Sequence, residues 1–377
     1  MRAWSILLAN TNMYLDITDL HVTFNRAGRS PLPAVVGVSL RVNQGKLVAL
    51  VGESGSGKSS LARAAVGLIR PASGNVLFNG VAVRQIGPRA RAASEIGLQM
   101  VFQNPSESLN PRRRVGAQLA DGLAVSGTKR NLRRLAVMNL LAQVGLGKEA
   151  VSRYPHQLSG GQRQRIAIAR ALAVGPSIVV LDEPFASLDA SAQAQLANLL
   201  RTLVDEAGVG MLLISHDLAI VRHIADEVAV MYLGTIVETG AKSRMWDSPL
   251  HPYTEALINS IPVPDGAGSL PVATPGEIGD PAKPPSGCRF HPRCLYAFDK
   301  CSQQTPPLIE VARGRKVACW LRYDTNTSAP TRGGAYLDRS DEPITTSDHI
   351  VRAGEASRHG TTPLSALGRH HDQVVGA

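Results

Sequence analysis

Gly52-Glu53-Ser54-Gly55-Ser56-Gly57-Lys58-Ser59 decides the fold. The octet fits G-x-x-x-x-G-K-[ST], whose parts have separate tasks. Glycines allow positive φ and let the backbone come close to a ligand. Successive N–H groups at a helix N-terminus then converge on a phosphate anion. Lys58 is placed to reach the β- and γ-phosphates, and the Ser59 hydroxyl to ligate Mg²⁺. Outward from the octet, Leu47–Val51 is a continuous apolar run, the mark of a strand buried on both faces. Residues 60–68 on the other side read as a helix. A glycine turn that binds nothing would not need that setting. Strand, glycine loop and helix predict an α/β fold that holds a nucleoside triphosphate.

The chain has 377 residues, enough for two domains. Its 40 basic and 30 acidic residues give a formal charge of +10. Nucleic-acid binding is one reading of that excess, but aromatics are only 4 %, too few for many stacking platforms. The excess is densest from about Arg63 to Arg153, where solvated helix faces, an acidic partner or a lipid surface account for it equally. No apolar run reaches the roughly 18 residues that span a bilayer, so any membrane role is expected to be peripheral. Residues 3–9, after Arg2, have a faint signal-peptide character but run short. Met13 is an alternative start, because the strand-like Tyr14–Thr18 follows it at once.

Alternation predicts strands around Tyr14–Phe24 and Val35–Val42, with residues 25–31 as a loop. Asn75–Phe78 and Gly97–Phe102 are further strand candidates. From Asn104 the pattern turns helical, predicting an inserted helical subdomain at about 104–157. Leu158–Gln162 precedes a helix expected over Arg163–Ala173, with Ser159 as N-cap. Ile178–Glu183 reads as a buried strand ending in two carboxylates, and Gly210–Asp217 as another ending in Ser215-His216-Asp217. Open α/β sheets bind their ligands at such carboxyl ends. There Asp182 can supply a second Mg²⁺ contact, and Glu183 can polarise a water attacking the γ-phosphate. Two acids after four apolar residues also suit an ordinary exposed strand end. Residues 262–285 are rich in proline and glycine, as in a linker or extended loop. Beyond about Arg322 the chain is polar and is expected to be disordered.

The phosphate loop, Gln103, Leu158–Gln162, the Ile178–Glu183 strand and His216 stand in an order that resembles ATP-binding-cassette (ABC) ATPases. Leu158-Ser159-Gly160-Gly161-Gln162, similar to that family's signature motif, discriminates best, and the resemblance spans about residues 14–245. It implies an α/β fold with a P-loop NTPase core, an inserted helical subdomain and a small C-terminal extension. It also implies a two-site sandwich dimer. Gly52, Glu53, Ser54, Gly55, Ser56, Gly57, Lys58, Ser59 and Ser60 of one subunit would hold ATP against Ser159, Gly160, Gly161 and Gln162 of the other. Phe24 matches the aromatic on which adenine stacks, or is a core phenylalanine. Mg²⁺ would be held by Ser59, Gln103 and Asp182, and Gln103 would also sense the attacking water. Catalysis would rest on Glu183, His216 and Gln103, with Asp189 coupling the two sites. A module that holds ATP without turnover is a rival, opposed by Glu183 and the intact signature.

Three further stretches resemble the oligopeptide, dipeptide and nickel importer subgroup: Val101–Pro105 with Ser108–Pro111, His251–Leu257, and Gly287–Cys294. The implied function is the ATP-hydrolysing subunit of a peptide importer. An importer subunit for nickel or another small solute, and a soluble non-transport ABC ATPase, are the alternatives. Implied partners are membrane-spanning permease subunits, a second ATPase subunit (this chain or a paralogue) and, indirectly, an extracytoplasmic solute-binding protein, with no nucleic acid. The implied place is peripheral, on the cytoplasmic face of the plasma (inner) membrane. The C-terminal extension would cover 246–322 and the tail 323–377. Cys288, Cys294, Cys301 and Cys319, spaced C-x₅-C-x₆-C-x₁₇-C, suit zinc or an iron–sulfur cluster, or stand as four idle thiols. The subgroup resemblance tilts this towards a 4Fe-4S cluster, with His291 either a substitute ligand or structural. Such a group would staple a small, proline-rich domain.

Overall fold

The computed structural model describes residues 13–87, 95–261, 276–277 and 279–323. The signal-like stretch at 3–9, most of the proline-rich stretch and the polar tail after residue 323 lie outside them.

The chain opens with a long antiparallel hairpin, β1 (Tyr14–Arg26) and β2 (Arg29–Asn43). The loop expected at 25–31 is shorter than that. Pairing runs out to Arg26↔Arg29, leaving a two-residue turn with Gly28 at φ 67. Pro31 and Pro33 lie within β2, which is an edge strand, where a missing N–H is tolerated. β3 (Leu47–Val51) follows, then α1 (Lys58–Ala65). This helix stops short of Leu68 because Gly67 adopts φ 75 and Leu68 N–H turns back to the Arg63 carbonyl at 2.8 Å, a glycine C-cap. β4 (Ser73–Phe78) and β5 (Val81–Ala82) complete a four-stranded antiparallel sheet of order β2-β1-β4-β5.

β6 (Leu98–Val101) leads into the helical insertion: α2 (Pro105–Ser108), α3 (Val115–Val125), α4 (Arg133–Gln143) and two 3₁₀ turns. Leu119, Leu123, Leu140 and Leu141 bury its inner face in a core shared with the main sheet. α5 (Gly160–Leu172) starts three residues before Arg163, because Ser159 and Gln162 form a reciprocal capping box. Strands and helices then alternate: β7 (Ile178–Asp182), α6 (Ala190–Asp205), β8 (Gly210–Ser215), α7 (Leu218–Ile224), β9 (Glu227–Tyr232) and β10 (Thr235–Ala241). Next come α8 (Lys242–Asp247), α9 (Pro252–Asn259) and α10 (Asp299–Gln303), then β11 (Ile309–Ala312) and β12 (Arg315–Val317).

The main sheet has the order β11-β12-β10-β9-β3-β8-β7-β6. β9, β3, β8, β7 and β6 run parallel, and β10, β12 and β11 add antiparallel. β3 lies inside, which explains its unbroken apolar run. Leu47, Ala49 and Val51 enter one core and Val48 and Leu50 the other. Parallel register lines up Val51 with Ser215, Asp182 with Ile214, and Val101 with Leu181. The carboxyl ends of β3, β8, β7 and β6 thus share one edge.

Candidate functional site

The glycine loop leaves that edge from β3. Gly52 and Gly57 have φ of 149° and 103°. A Cβ on Gly52 would overlap the Met231 carbonyl oxygen, and one on Gly57 the Ala34 carbonyl oxygen. Both positions therefore need glycine for φ and for space. Lys58 is buried, and its ammonium donates to the Gly52 carbonyl at 2.7 Å, the Glu53 carbonyl at 2.8 Å and Ser56 Oγ at 3.4 Å. Burial lowers its pKa, opposed by Glu183, Asp182 and Glu53. Ser54 and Gly55 are exposed at the loop tip, and Ser60 is half-buried in the first turn of α1.

Ser59 Oγ donates to Asp182 Oδ1 at 2.8 Å. Asp182 is 1 % exposed, and burial raises its pKa against the pull of Ser59, Arg63 and Lys58. Its Oδ2 is buried without a hydrogen bond, with Arg63 Nε 4.0 Å away. Buried carboxylate oxygens are normally satisfied. An orphaned one beside a hydroxyl suits a hard cation with oxygen ligands, so these residues fit Mg²⁺. Gln103 is exposed in the bend after β6, at the same sheet edge.

Glu183, the next residue after β7, takes φ 49, a left-handed conformation uncommon for glutamate. Its N–H donates to the Ile214 carbonyl at 3.1 Å, and its Oε2 lies 2.8 Å from His216 Nδ1. Glu183 is mostly buried and His216 exposed. A carboxylate fixed by a histidine at the mouth of a phosphate loop can accept a proton from a water there.

Ser159 Oγ accepts from Gln162 N at 3.2 Å, and Gln162 Oε1 accepts from Ser159 N at 3.1 Å. The hydrogen bonds described for these two side chains are to one another, none to the phosphate loop. Gly160 faces open space, whereas a Cβ on Gly161 would meet Ala192 at 3.5 Å and Leu188 at 3.9 Å. That contact brings the turn beside Asp189, whose Oδ1 caps α6 by accepting from Ala192 N at 2.8 Å. Phe24 is half-buried and packs against the core beneath the antiparallel sheet.

Sequence reasoning missed the residues that brace the loop from the C-terminal side. Tyr253 Oη accepts from Glu53 N at 2.9 Å, and Arg293 forks onto the Glu53 carboxylate at 2.7 and 2.9 Å. Both residues stood in quoted stretches, but nothing in a sequence ties residue 53 to residues 200 and 240 positions away. Phe290 packs against Tyr232, Tyr253 and His251 in one aromatic cluster.

Behind that cluster all four cysteines line one cavity, together with His251 and His291. Burial pushes the Cys294 thiol up to about 11 and the Cys319 thiol up to about 12, and raises Cys288. As neutral thiols they pack like small apolar groups. Among the described residues, no three His, Cys, Asp or Glu side chains stand together as a group that could hold a metal ion. His291 Nδ1 lies 2.9 Å from the Cys288 carbonyl, a local structural contact. Four thiols are the ligand type of a thiophilic metal, but among the described residues they do not form a group that could hold one.

Residues 35–186 match the family model described as "ABC transporter", and residues 237–301 the model described as "Oligopeptide/dipeptide transporter, C-terminal region". A probable peptide ABC transporter ATP-binding protein, y4tS of Sinorhizobium fredii, is 47 % identical over 77 % of this chain and 82 % of its own length. The di/tripeptide transport ATP-binding protein DppF of Pseudomonas aeruginosa is 44 % identical over 78 % of this chain and 91 % of its own. Among solved structures, cbiO1 of Clostridium perfringens, part of the ABC transporter complex cbiONQ, superposes with a TM-score of 0.55 at 26 % identity, over 63 % of this chain and 92 % of its own.

Proposed function

This chain belongs to the ABC transporter family, and from that membership we propose that it is the ATP-hydrolysing subunit of a peptide importer. One observation carries the hydrolytic half: the orphaned Asp182 Oδ2, next to Ser59 and one residue before the Glu183–His216 pair.

In this reading the loop amides and Lys58 bind the triphosphate. Ser59, Asp182 and Gln103 would hold Mg²⁺, which would supply charge neutralisation for the phosphates. Glu183 accepts the proton of the attacking water, His216 faces the γ-phosphate, and Phe24 stacks on adenine. Ser159, Gly160, Gly161 and Gln162 close over the ATP of a second subunit, with Asp189 coupling the two sites. Hydrolysis removes the bridging charge and lets the pair reopen.

The peptide cargo follows the two relatives, a probable peptide ABC transporter ATP-binding protein and a di/tripeptide transport ATP-binding protein. Permease subunits in the membrane would receive the stroke near Gln103–Arg114, and a solute-binding protein outside would deliver the peptide. In this reading the chain sits at the cytoplasmic face of the membrane, bound peripherally; among the described residues no helix is long and apolar enough to cross it. The functional division we infer is 14–245 for ATP, with 104–157 facing the permease, and 246–322 as an extension ahead of a tail at 323–377. The four cysteines, gathered on one cavity, support a 4Fe-4S staple in that extension.

The test is reconstitution with the permease subunits in liposomes. ATP-dependent uptake of labelled di- and oligopeptides is expected. Uptake of nickel instead, or ATP turnover with no permease association, would overturn the peptide reading. Anaerobic purification with iron, sulfide and zinc analysis decides the cysteines. A colourless, metal-free protein whose melting is unchanged by Cys294→Ser would remove the cluster.

A further inference from the structure

We propose that Arg293 is a positioning residue for ATP binding: its fork neutralises the Glu53 carboxylate inside the phosphate loop and fixes that loop against the C-terminal segment. The inference rests on the reading that Gly52–Ser59 binds ATP.

Glu53 sits between Gly52 and Ser54, where backbone N–H groups must face an incoming polyanion. Its own carboxylate is a poor neighbour for that ligand. Arg293 meets it with two bonds of 2.7 and 2.9 Å, one from each terminal nitrogen to each carboxylate oxygen, from a side chain only 5 % exposed. Such a planar fork suits Arg and not Lys. The guanidinium is itself held by Tyr232 Oη at 3.4 Å and lies 5.8 Å from the Tyr232 and Phe290 ring centres. Tyr253 Oη fixes the N–H of the same Glu53 at 2.9 Å.

A second brace lies three residues on. The Ser56 carbonyl accepts from Gly234 N at 2.8 Å, and the preceding carbonyl, Leu233, accepts from Arg289. Two arginines four positions apart in one segment therefore reach both holds on the loop. Neither touches Glu183 or His216 among the described contacts. Losing Arg293 would unmask a negative charge beside the triphosphate site and free the loop backbone, and both effects fall on binding.

The experiment measures the Kd for a fluorescent ATP analogue with Mg²⁺, kcat, and thermal melting of the full chain. Arg293→Met should raise Kd by about tenfold or more while kcat changes by no more than about twofold. Arg293→Lys should weaken binding by about threefold or more, since the charge stays but the fork goes. Glu53→Gln combined with Arg293→Met should return Kd to within about threefold of wild type, because no unpaired carboxylate remains. Unchanged Kd in Arg293→Met with a lower melting temperature would make the residue merely structural and overturn the proposal. If Arg293→Met does not fold, the lysine and double variants decide: wild-type Kd in Arg293→Lys, or a double variant as weak as the lysine variant, overturns it. A wild-type chain that binds no ATP would instead overturn the proposed function.

Discussion

Glu183 occupies a backbone conformation that a side-chain-bearing residue adopts at a cost of order 1–3 kcal/mol. The surrounding bonds to Ile214 and His216 hold it there. If it is the proton acceptor, Glu183→Gln should keep ATP binding and lower kcat by about 10²–10⁴-fold. Single-turnover hydrolysis checks this, and near-normal turnover would remove Glu183 from the role. Asp182 makes the opposite trade. Its buried, half-satisfied carboxylate burdens the fold. Asp182→Asn should therefore raise stability without Mg²⁺ by roughly 1 kcal/mol while abolishing Mg²⁺-dependent turnover. Urea unfolding in EDTA, paired with an ATPase assay, reads both; a destabilised variant would contradict the desolvation account. Lys58, Ser59 and Asp182 were legible in the sequence because their chemistry lies in short local patterns. Arg293 was not, because its partner is fixed only by the tertiary fold.

At the scale of elements, α5 begins on a turn whose bonds close on themselves, with Gly160 facing open space. A lone chain therefore has room for a larger side chain there. Ser159→Arg should lose the N-cap, about 1 kcal/mol, and keep ATP affinity per chain. In a Glu183→Gln background it should also prevent the ATP-dependent dimer. Sedimentation with and without ATP checks this; a dimer that persists would place the signature away from the interface. β3, β7 and β8 were readable as unbroken apolar runs, since each is buried on both faces. β2 was cut short by its prolines, which an edge strand accommodates. β11 and β12 had no readable pattern. Both are short, β11 is largely exposed, and only the pairing of β12 onto β10 and of β11 onto β12 makes them strands.

At the scale of the whole molecule, β10 and β12 join the ATP core and the C-terminal segment in one sheet. Glu238 on β10 is fully buried, accepting from Leu250 N at 3.0 Å, His251 N at 2.8 Å and Arg315 Nη2 at 3.1 Å. Arg315→Met leaves that carboxylate without its cation and should cost about 3–5 kcal/mol in chemical denaturation. A loss under about 1 kcal/mol would mean that the backbone donors suffice. The Arg293–Glu53 contact has a consequence in time. The ribosome makes Arg293 240 residues after Glu53. At about 5–20 residues per second, that is a delay of roughly 10–50 s. Throughout it the glycine loop exists without its guanidinium partner, with the Glu53 carboxylate bare to water. If Arg293 positions the loop as proposed, full ATP affinity on a growing chain is then a late acquisition, completed when the C-terminal segment emerges and folds back.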